Sequence, residues 1–463
     1  MPADFLSNSQ FTSSLNNPEA FSALVSLQRL PDVVRVTMKD LFPPLWNIIE
    51  WILFTTLGKD EIYIRSISFA FFVLTTVFTY KIGKLMYSGK TGLFAVLLVF
   101  SNPMMFIFAF EGRMFSLLSF LTTASLYFYF KLMKPLEERK FAFPGYILTT
   151  ICALYTHHSA IFLLFIEIPW LIVIFFQGKK NAVKRLLKAY IVVILLYLPW
   201  SYLMYIHLHK GKDLLLSTSV EDIKLLIDSY LIPEITTNPA SIAVVNYPIY
   251  KIALVFVVFI LIARCWHKSI KNTVFLMLCF LGPILLSWLI ARNISITERN
   301  MVIYTIPYAM LILASKRRKY TSILIVTLVG LWLVMDFYYF KHPHKAPFRE
   351  ITPFVTSAKD NGDFVVSWFS DSNRLWETKY YKLNAPIYLP GTTNAPNLYT
   401  TSLVDVSDTV KAIPQNTKTV GVLTDLPPEE IVLENYVLQE YKDINGLKFI
   451  WYRLNTTRLN EDD

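Results

Sequence analysis

The chain of 463 residues is 54% hydrophobic and only 17% charged, a composition that excludes an ordinary soluble domain. Its net charge of +10 comes from basic residues in short connections between apolar runs, so it indicates membrane topology and argues against nucleic-acid binding. All three cysteines fall in or beside apolar runs, and they predict neither a disulfide framework nor a thiolate metal site. They are Cys152, Cys265 and Cys279.

The apolar runs predict the spanning helices. A bilayer core needs about 17–25 consecutive apolar residues, and roughly ten such runs occur in the chain. They lie near 62–86, 91–110, 112–133, 143–163, 163–177, 187–207, 248–266, 272–292, 299–315 and 320–340. The stretch 43–58 is shorter, begins with two prolines and contains Glu50, so it fits an interfacial helix better than a full crossing.

The positions of lysine and arginine predict the orientation in the membrane. Every second connection is basic, including the run 316–319, so we expect these connections in the cytoplasm. By parity, the segments 1–61, 208–247 and 341–463 are expected to face outward. Residues 1–40 contain no spanning segment, so either a further helix precedes them or the following spans translocate this tail.

The sequence changes character after Tyr339, where polar and apolar residues become mixed. Strand-like runs alternate there with helical stretches, which predicts a small α/β domain. The fold class we expect is an α-helical polytopic membrane protein with about ten spanning helices. Its predicted parts are an outer N-terminal loop with amphipathic helices (1–61), a transmembrane domain (62–340) with the outer loop 208–247, and an extracytoplasmic α/β domain (341–463).

Charged and polar side chains collect at the predicted outer ends of the spans. These residues are Asp60, Glu61, Arg65, Glu111, Arg113, His157, His158, Arg292, Glu298 and Arg299. A charge inside a bilayer costs about 3 kcal/mol, so its position carries information. The set favours one outward-facing polar cavity, although for any single residue the alternative is a long side chain that reaches the interface.

Short motifs follow the same outer positions along most of the chain. The segment 17–47 combines Glu19, an amphipathic helix and the closing run FPPLW at 42–46. Further motifs occur at 57–61, 102–103, 111–117, 154–158, 198–200, 298–299 and 348–350. In this order they resemble the loops of membrane-embedded type C glycosyltransferases. That family includes polyprenyl-phosphate-mannose protein mannosyltransferases and aminoarabinose transferases.

The resemblance implies transfer of a sugar, with inversion, from a polyprenyl-phosphate donor to a protein, lipid or polysaccharide acceptor. The reaction would occur at the outer face of a bacterial plasma membrane. It implies Arg113, with Arg299 or Arg65, as the donor-phosphate residues, because a leaving phosphate needs a fixed cation. Glu19 and Glu111 are the candidate carboxylate bases. His157, His158 and Asp40 would line the cavity; a divalent cation is the candidate cofactor, with no metal ligands assigned.

Two positions depart from the family pattern and leave alternatives open. Pro18 stands where the family has the expected aspartate base, and Phe42 stands where it has a histidine. A catalytically impaired or truncated family member that acts as a partner protein is therefore the first alternative. A transporter is the second, although the charges occupy one side and no inverted repeat is visible. Asp60 and Glu61 imitate the missing acidic pair, but a helix start explains them.

Overall fold

The structure is a computed structural model. It describes residues 9–39, 42–135, 137–210, 270–291, 303–315, 319–343, 345–370, 374–389, 403–414 and 417–455. The predicted span 248–266, most of the loop 208–247 and the candidate residues Asp40 and Arg299 lie outside these ranges. Arg292 and Glu298 also lie outside them.

Fifteen α-helices form within the described residues. They are α1 (Asn17–Ser26), α2 (Leu30–Thr37), α3 (Leu45–Thr56), α4 (Glu61–Met86), α5 (Gly89–Phe100), α6 (Pro103–Ala109), α7 (Phe115–Leu132), α8 (Ala142–Thr156), α9 (Ile161–Phe176), α10 (Lys180–Lys210), α11 (Ile270–Ala291), α12 (Ile306–Ser315), α13 (Lys319–Lys341), α14 (Phe348–Asp360) and α15 (Leu375–Tyr380). Each predicted span other than 248–266 overlaps one of these helices or helix pairs.

Four helices in the described part of the chain are long and apolar enough to cross a membrane, and a bent pair makes a fifth candidate. The multi-pass character predicted from the sequence is therefore confirmed, while the count of ten stays a prediction. The bent pair is α5 with α6, which meet at 67°. Proline at the first position of α6 cannot donate to the preceding turn, and the Asn102 side chain accepts from the Met105 backbone N–H at 3.1 Å. The bend thus follows directly from the Asn102-Pro103 pair.

The chain divides into two compact units. The membrane unit comprises Thr37–Ile49 and Ile62–His342, and the sheet unit comprises Met1–Val36, Glu50–Glu61 and Pro343–Asp463. Each contains residues that the sequence singled out.

Polar contacts join helix ends in the membrane unit. Arg185 at the start of α10 donates to the Leu132 carbonyl at the end of α7, with Nη2 at 2.8 Å and Nε at 3.1 Å. Asn272 at the start of α11 donates to the Met86 carbonyl at the end of α4 at 3.4 Å. These donors satisfy carbonyls that have no partner within their own helix. Elsewhere in this unit, the Phe110 ring packs against Phe69 of α4, and the Tyr304 hydroxyl donates to the Ser159 carbonyl before α9.

The sheet unit contains a six-stranded sheet in the order β3-β2-β1-β4-β6-β5. The strands are β1 (Phe364–Ser367), β2 (Ile387–Tyr388), β3 (Thr409–Val410), β4 (Thr419–Thr424), β5 (Tyr436–Ile444) and β6 (Leu447–Leu454). Strands β1 to β4 pair in parallel, whereas β6 pairs antiparallel with both β4 and β5. Val365 and Val366 point to opposite faces, as successive strand residues must, and each joins a separate apolar cluster. Helix α14 packs on the Val365 face through Phe348 and Ile351.

The N-terminal helices also belong to the sheet unit. The Phe21 ring on α1 lies 5.1 Å from the Trp376 ring on α15. Val25 and Val33, from α1 and α2, share a small buried cluster with Trp51 of α3. The N-terminal segment is therefore packed against the C-terminal part of the chain.

Candidate functional site

A short, rigid loop between α6 and α7 carries the most conspicuous charged residues of the membrane unit. The Arg113 backbone N–H donates to the Glu111 carbonyl at 2.8 Å, and the Ser116 hydroxyl donates to the Phe108 carbonyl at 2.8 Å. The second bond joins the last turn of α6 to the first turn of α7. The loop backbone is consequently held on both sides, and its side chains project from a fixed frame.

Arg113 is buried, with only 7% of its surface exposed. Its guanidinium carbon lies 4.9 Å from the centre of the Phe115 ring and 5.8 Å from the centre of the Phe42 ring. The nearest Glu111 carboxylate oxygen is 3.9 Å from Arg113 Nη1, at the outer limit of an ion pair. A desolvated guanidinium against aromatic faces gains about 2 kcal/mol. The two rings thus help to keep a fixed positive charge inside the unit.

His157 lies beside the same phenyl ring. It follows the last residue of α8, and its imidazole centre is 5.5 Å from the centre of Phe42. The Ser159 backbone N–H donates to His157 Nδ1 at 3.0 Å, and Ser159 Oγ is 2.7 Å from that nitrogen. The Tyr304 hydroxyl donates to the Ser159 carbonyl at 2.8 Å. The structure therefore brings Arg113 and His157 together around Phe42.

The neighbouring histidine belongs to a different set of contacts. His158 Nδ1 is 3.0 Å from the hydroxyl of Tyr197 on α10, while His157 contacts Phe42 and Ser159. The two imidazoles thus contact different residues, and it is His157 that contacts Phe42.

Arg65 lies in the first two turns of α4 and is completely buried. One turn further along the helix, the Phe69 ring packs 5.4 Å from the Phe110 ring, which directly precedes Glu111. Arg65 therefore sits at the same end of the helices as the loop that carries Arg113.

Glu19 lies in the sheet unit, where it is bound on several sides. Its carboxylate accepts from the Asn16 backbone N–H at 3.0 Å, while its own N–H donates to the Asn16 side chain at 3.1 Å. This reciprocal pair is a capping box at the start of α1, and Pro18 suits the first helical turn because it needs no donor there. Lys345 Nζ donates at 2.8 Å to Oε2, the same oxygen that accepts from Asn16, in an almost fully buried ion pair. The segment around Pro18 is thus a well-formed helix start.

Glu50 forms a buried polar cluster that the sequence analysis did not identify. Its Oε2 accepts from the Ser26 hydroxyl at 2.7 Å and from the Ser22 hydroxyl at 2.9 Å. Burial raises the pKa of Glu50 to about 8; the two hydroxyl bonds oppose the rise and the Glu19 carboxylate adds to it. The sequence feature that could have indicated this cluster is a single acidic residue in an otherwise apolar helix, α3.

Glu61 has a structural role in the same unit. It accepts from the Tyr381 hydroxyl at 2.6 Å and is paired with the Arg349 guanidinium. Arg349 also donates to the Thr12 carbonyl at 3.1 Å, so one arginine ties α14 to two parts of the N-terminal segment. These contacts account for both Glu61 and the 348–350 motif.

The described residues do not fit a divalent cation. Among them, no group of three or more histidine, cysteine, aspartate or glutamate side chains is placed to hold a metal ion. Glu19, half of the acidic pair expected from the resemblance, is bound by Lys345, and Pro18 has no ligand atom in its side chain.

Comparisons with known proteins identify the fold. No protein-family model and no curated protein sequence matches the chain. Among solved structures, ArnT from Cupriavidus metallidurans bound to undecaprenyl phosphate is similar over 98% of this chain and 97% of its own, with a TM-score of 0.51 and 12% identity. The apo state of ArnT covers 98% and 96% of the two chains, with a TM-score of 0.48 and 12% identity.

The archaeal oligosaccharyltransferase AglB from Archaeoglobus fulgidus, in complex with an inhibitory peptide and a dolichol-phosphate, is also similar. It covers 81% of this chain and 61% of its own, with a TM-score of 0.48 and 12% identity. At such identities a likeness shows the fold alone, and the lipid-bound ArnT carries that conclusion. The resemblance to membrane-embedded type C glycosyltransferases is confirmed as a resemblance of fold.

Proposed function

We propose that this chain, on the fold it shares with ArnT bound to undecaprenyl phosphate, is a glycosyltransferase that uses a polyprenyl-phosphate-linked sugar. The acceptor would be a protein, lipid or polysaccharide at the outer face of the plasma membrane. The observation that carries the proposal is Arg113, a buried guanidinium held against Phe42 and Phe115 in a rigid loop. A buried cation suits an anionic group that arrives with an apolar tail.

The chemistry is a displacement at the anomeric carbon. An acceptor oxygen forms a bond to that carbon as its bond to the phosphate oxygen breaks, which inverts the configuration. The polyprenyl phosphate leaves with the negative charge that Arg113 stabilises, and Arg65 at the same helix end supplies a second cation. A carboxylate takes the acceptor's proton. We assign this base to Glu111, because Glu19 already accepts from Asn16 and Lys345.

The first test measures lipid binding. Purified full-length protein in nanodiscs is titrated with undecaprenyl phosphate and, as the matched control lipid, undecaprenol. The phosphate lipid should bind more tightly to the wild type, and Arg113→Ala should lose that preference, whereas Arg113→Lys keeps part of it. Arg35→Ala removes an exposed arginine that pairs with Asp32 and serves as the control. Equal affinity of Arg113→Ala and wild type for the phosphate lipid would refute the assignment.

The second test measures transfer. Radiolabelled polyprenyl-phosphate sugars are incubated with the protein and a membrane fraction that supplies acceptors. Loss of one charge-stabilising donor costs about 10²- to 10³-fold in rate, and Arg113→Ala should show a loss of this size. Glu111→Gln should reduce transfer while the phosphate lipid still binds, because it removes the base and keeps the Arg113 environment.

The buried pair of Glu19 and Lys345 favours a second candidate, a family member with impaired catalysis. The resemblance places the expected aspartate base at Pro18. Aspartate is well accepted in a first helical turn, so Pro18→Asp should preserve the fold. If the wild type consumes no donor and Pro18→Asp does, this second candidate replaces the first.

A further inference from the structure

We infer that His157 is a second anion-binding residue of this site, and that it donates a hydrogen bond from Nε2 to an oxygen of the lipid phosphate. The inference rests on the proposed function. It assigns a specific tautomer and a specific donor atom to a residue that the sequence marked only as part of a cavity lining.

The tautomer follows from the backbone. The Ser159 N–H points at His157 Nδ1 over 3.0 Å, and a backbone N–H can only donate. Nδ1 must therefore carry the lone pair, and the neutral imidazole carries its proton on Nε2. The Ser159 hydroxyl, 2.7 Å from the same nitrogen, then acts as a second donor. His157 consequently carries its N–H on Nε2. This nitrogen can donate a hydrogen bond to an anion, and it cannot act as a base.

The orientation of the imidazole is fixed by its surroundings. His157 is 3% exposed, and it lies between the end of α8 and the short helical turn His158–Ala160. The Tyr304 hydroxyl donates to the Ser159 carbonyl at 2.8 Å, so the residue whose N–H binds Nδ1 is also held at its carbonyl. A donor that is oriented before the ligand arrives stabilises charge without the cost of reorganisation.

The Phe42 ring lies close to both the His157 imidazole and the Arg113 guanidinium. Its ring centre is 5.5 Å from the imidazole centre and 5.8 Å from the guanidinium carbon of Arg113. The planes of the Phe42 and His157 rings are inclined by 34°. In this proposal the lipid phosphate binds both the Arg113 guanidinium and His157 Nε2, and Phe42, which contacts both side chains, is the positioning residue.

The inference is tested by binding and by the state of the ring. His157→Phe keeps an aromatic ring beside Phe42 and removes the donor; it should weaken undecaprenyl phosphate binding about 10- to 100-fold, the effect of one hydrogen bond to a charged group. His157→Gln restores an N–H and should recover part of that loss. Ser159→Ala retains the backbone donor and should bind nearly as the wild type. Undecaprenol binding, and the melting temperature without lipid, verify that each variant is folded.

Nitrogen NMR of protein with labelled histidine gives the second readout, with the His157 signal assigned by its absence from His157→Phe. We expect a proton on Nε2 and none on Nδ1. A proton on Nδ1, or full phosphate-lipid affinity in His157→Phe when the wild type prefers that lipid, would overturn this inference alone. A wild type with no preference for the phosphate lipid would instead overturn the proposed function, whatever the tautomer.

Discussion

Glu50 gives the sharpest prediction about stability. Its carboxyl group is fully buried, and its pKa rises from 4.5 to about 8, chiefly because burial disfavours the charged form. The folded protein therefore keeps a proton that the unfolded chain releases between these two values. Stability must fall as pH rises from 4.5 to about 8 and then level off, because the unfolded state binds fewer protons in this window.

The size of the effect follows from the same shift. A difference of one pH unit in pKa corresponds to about 1.4 kcal/mol, so the whole window amounts to about 5 kcal/mol at most. Glu50→Gln removes the titration and still offers an oxygen to Ser22 and Ser26. We expect the variant to lose the slope and to exceed the wild type in stability at pH 8 and above.

Hydrogen exchange of the α1 and α3 amides in the full-length protein measures this locally, from about pH 5 to about pH 9. Rates are corrected for the intrinsic dependence of exchange on pH. Glu430→Gln, which changes an exposed carboxylate in a short helical turn, is the matched control and should retain the wild-type slope. Equal slopes in Glu50→Gln and the wild type would refute the reasoning, since no other change is made in that cluster.

Two further predictions concern packing and charge. A methyl group at Gly83 would lie 2.6 Å from the Gly92 Cα, so Gly83→Ala should push α4 and α5 apart and lower the melting temperature, while Gly330→Ala, with open space around it, should leave it unchanged. A melting temperature that is equal in the two variants would contradict the close approach. Lys345→Met leaves the Glu19 carboxylate buried without its cation and should cost about 3–5 kcal/mol. Adding Glu19→Gln should restore much of this loss in denaturant unfolding, and no recovery would show that the pair is not coupled.

The apolar helices could be predicted from the sequence because a bilayer imposes a length. Helix α4 spans Glu61–Met86, against a predicted run of 62–86, and its bounds follow from charged residues at both ends. The bend at Asn102-Pro103 also follows from the local sequence, since proline and an asparagine cap have fixed local consequences. Local chemistry decides such features, so no information about distant residues is needed.

The contacts of the candidate site depend on residues far apart in sequence, and these could not be predicted. Nothing in the sequence near Phe42 indicates that its ring meets both Arg113 and His157. The role of Glu19 is different, because its spacing from Asn16 is the signature of a capping box. The spacing predicts a cap, whereas the resemblance to a catalytic loop predicts a base; in the structure Glu19 forms the cap. Its partner Lys345, at the other end of the chain, had no signal at all.

The bend between α5 and α6 has a consequence for depth in the bilayer. At about 1.5 Å per residue, the 12 residues of α5 rise roughly 18 Å and the 7 of α6 roughly 10 Å. With α5 along the membrane normal, a bend of 67° leaves the pair reaching only about 22 Å, against a hydrocarbon thickness of about 30 Å. The loop that follows α6 would then lie below the headgroups, or the bilayer would thin around it. Arg113 would in that case lie at the depth of the acyl chains, and thinning of the bilayer would bring it closer to the headgroup level.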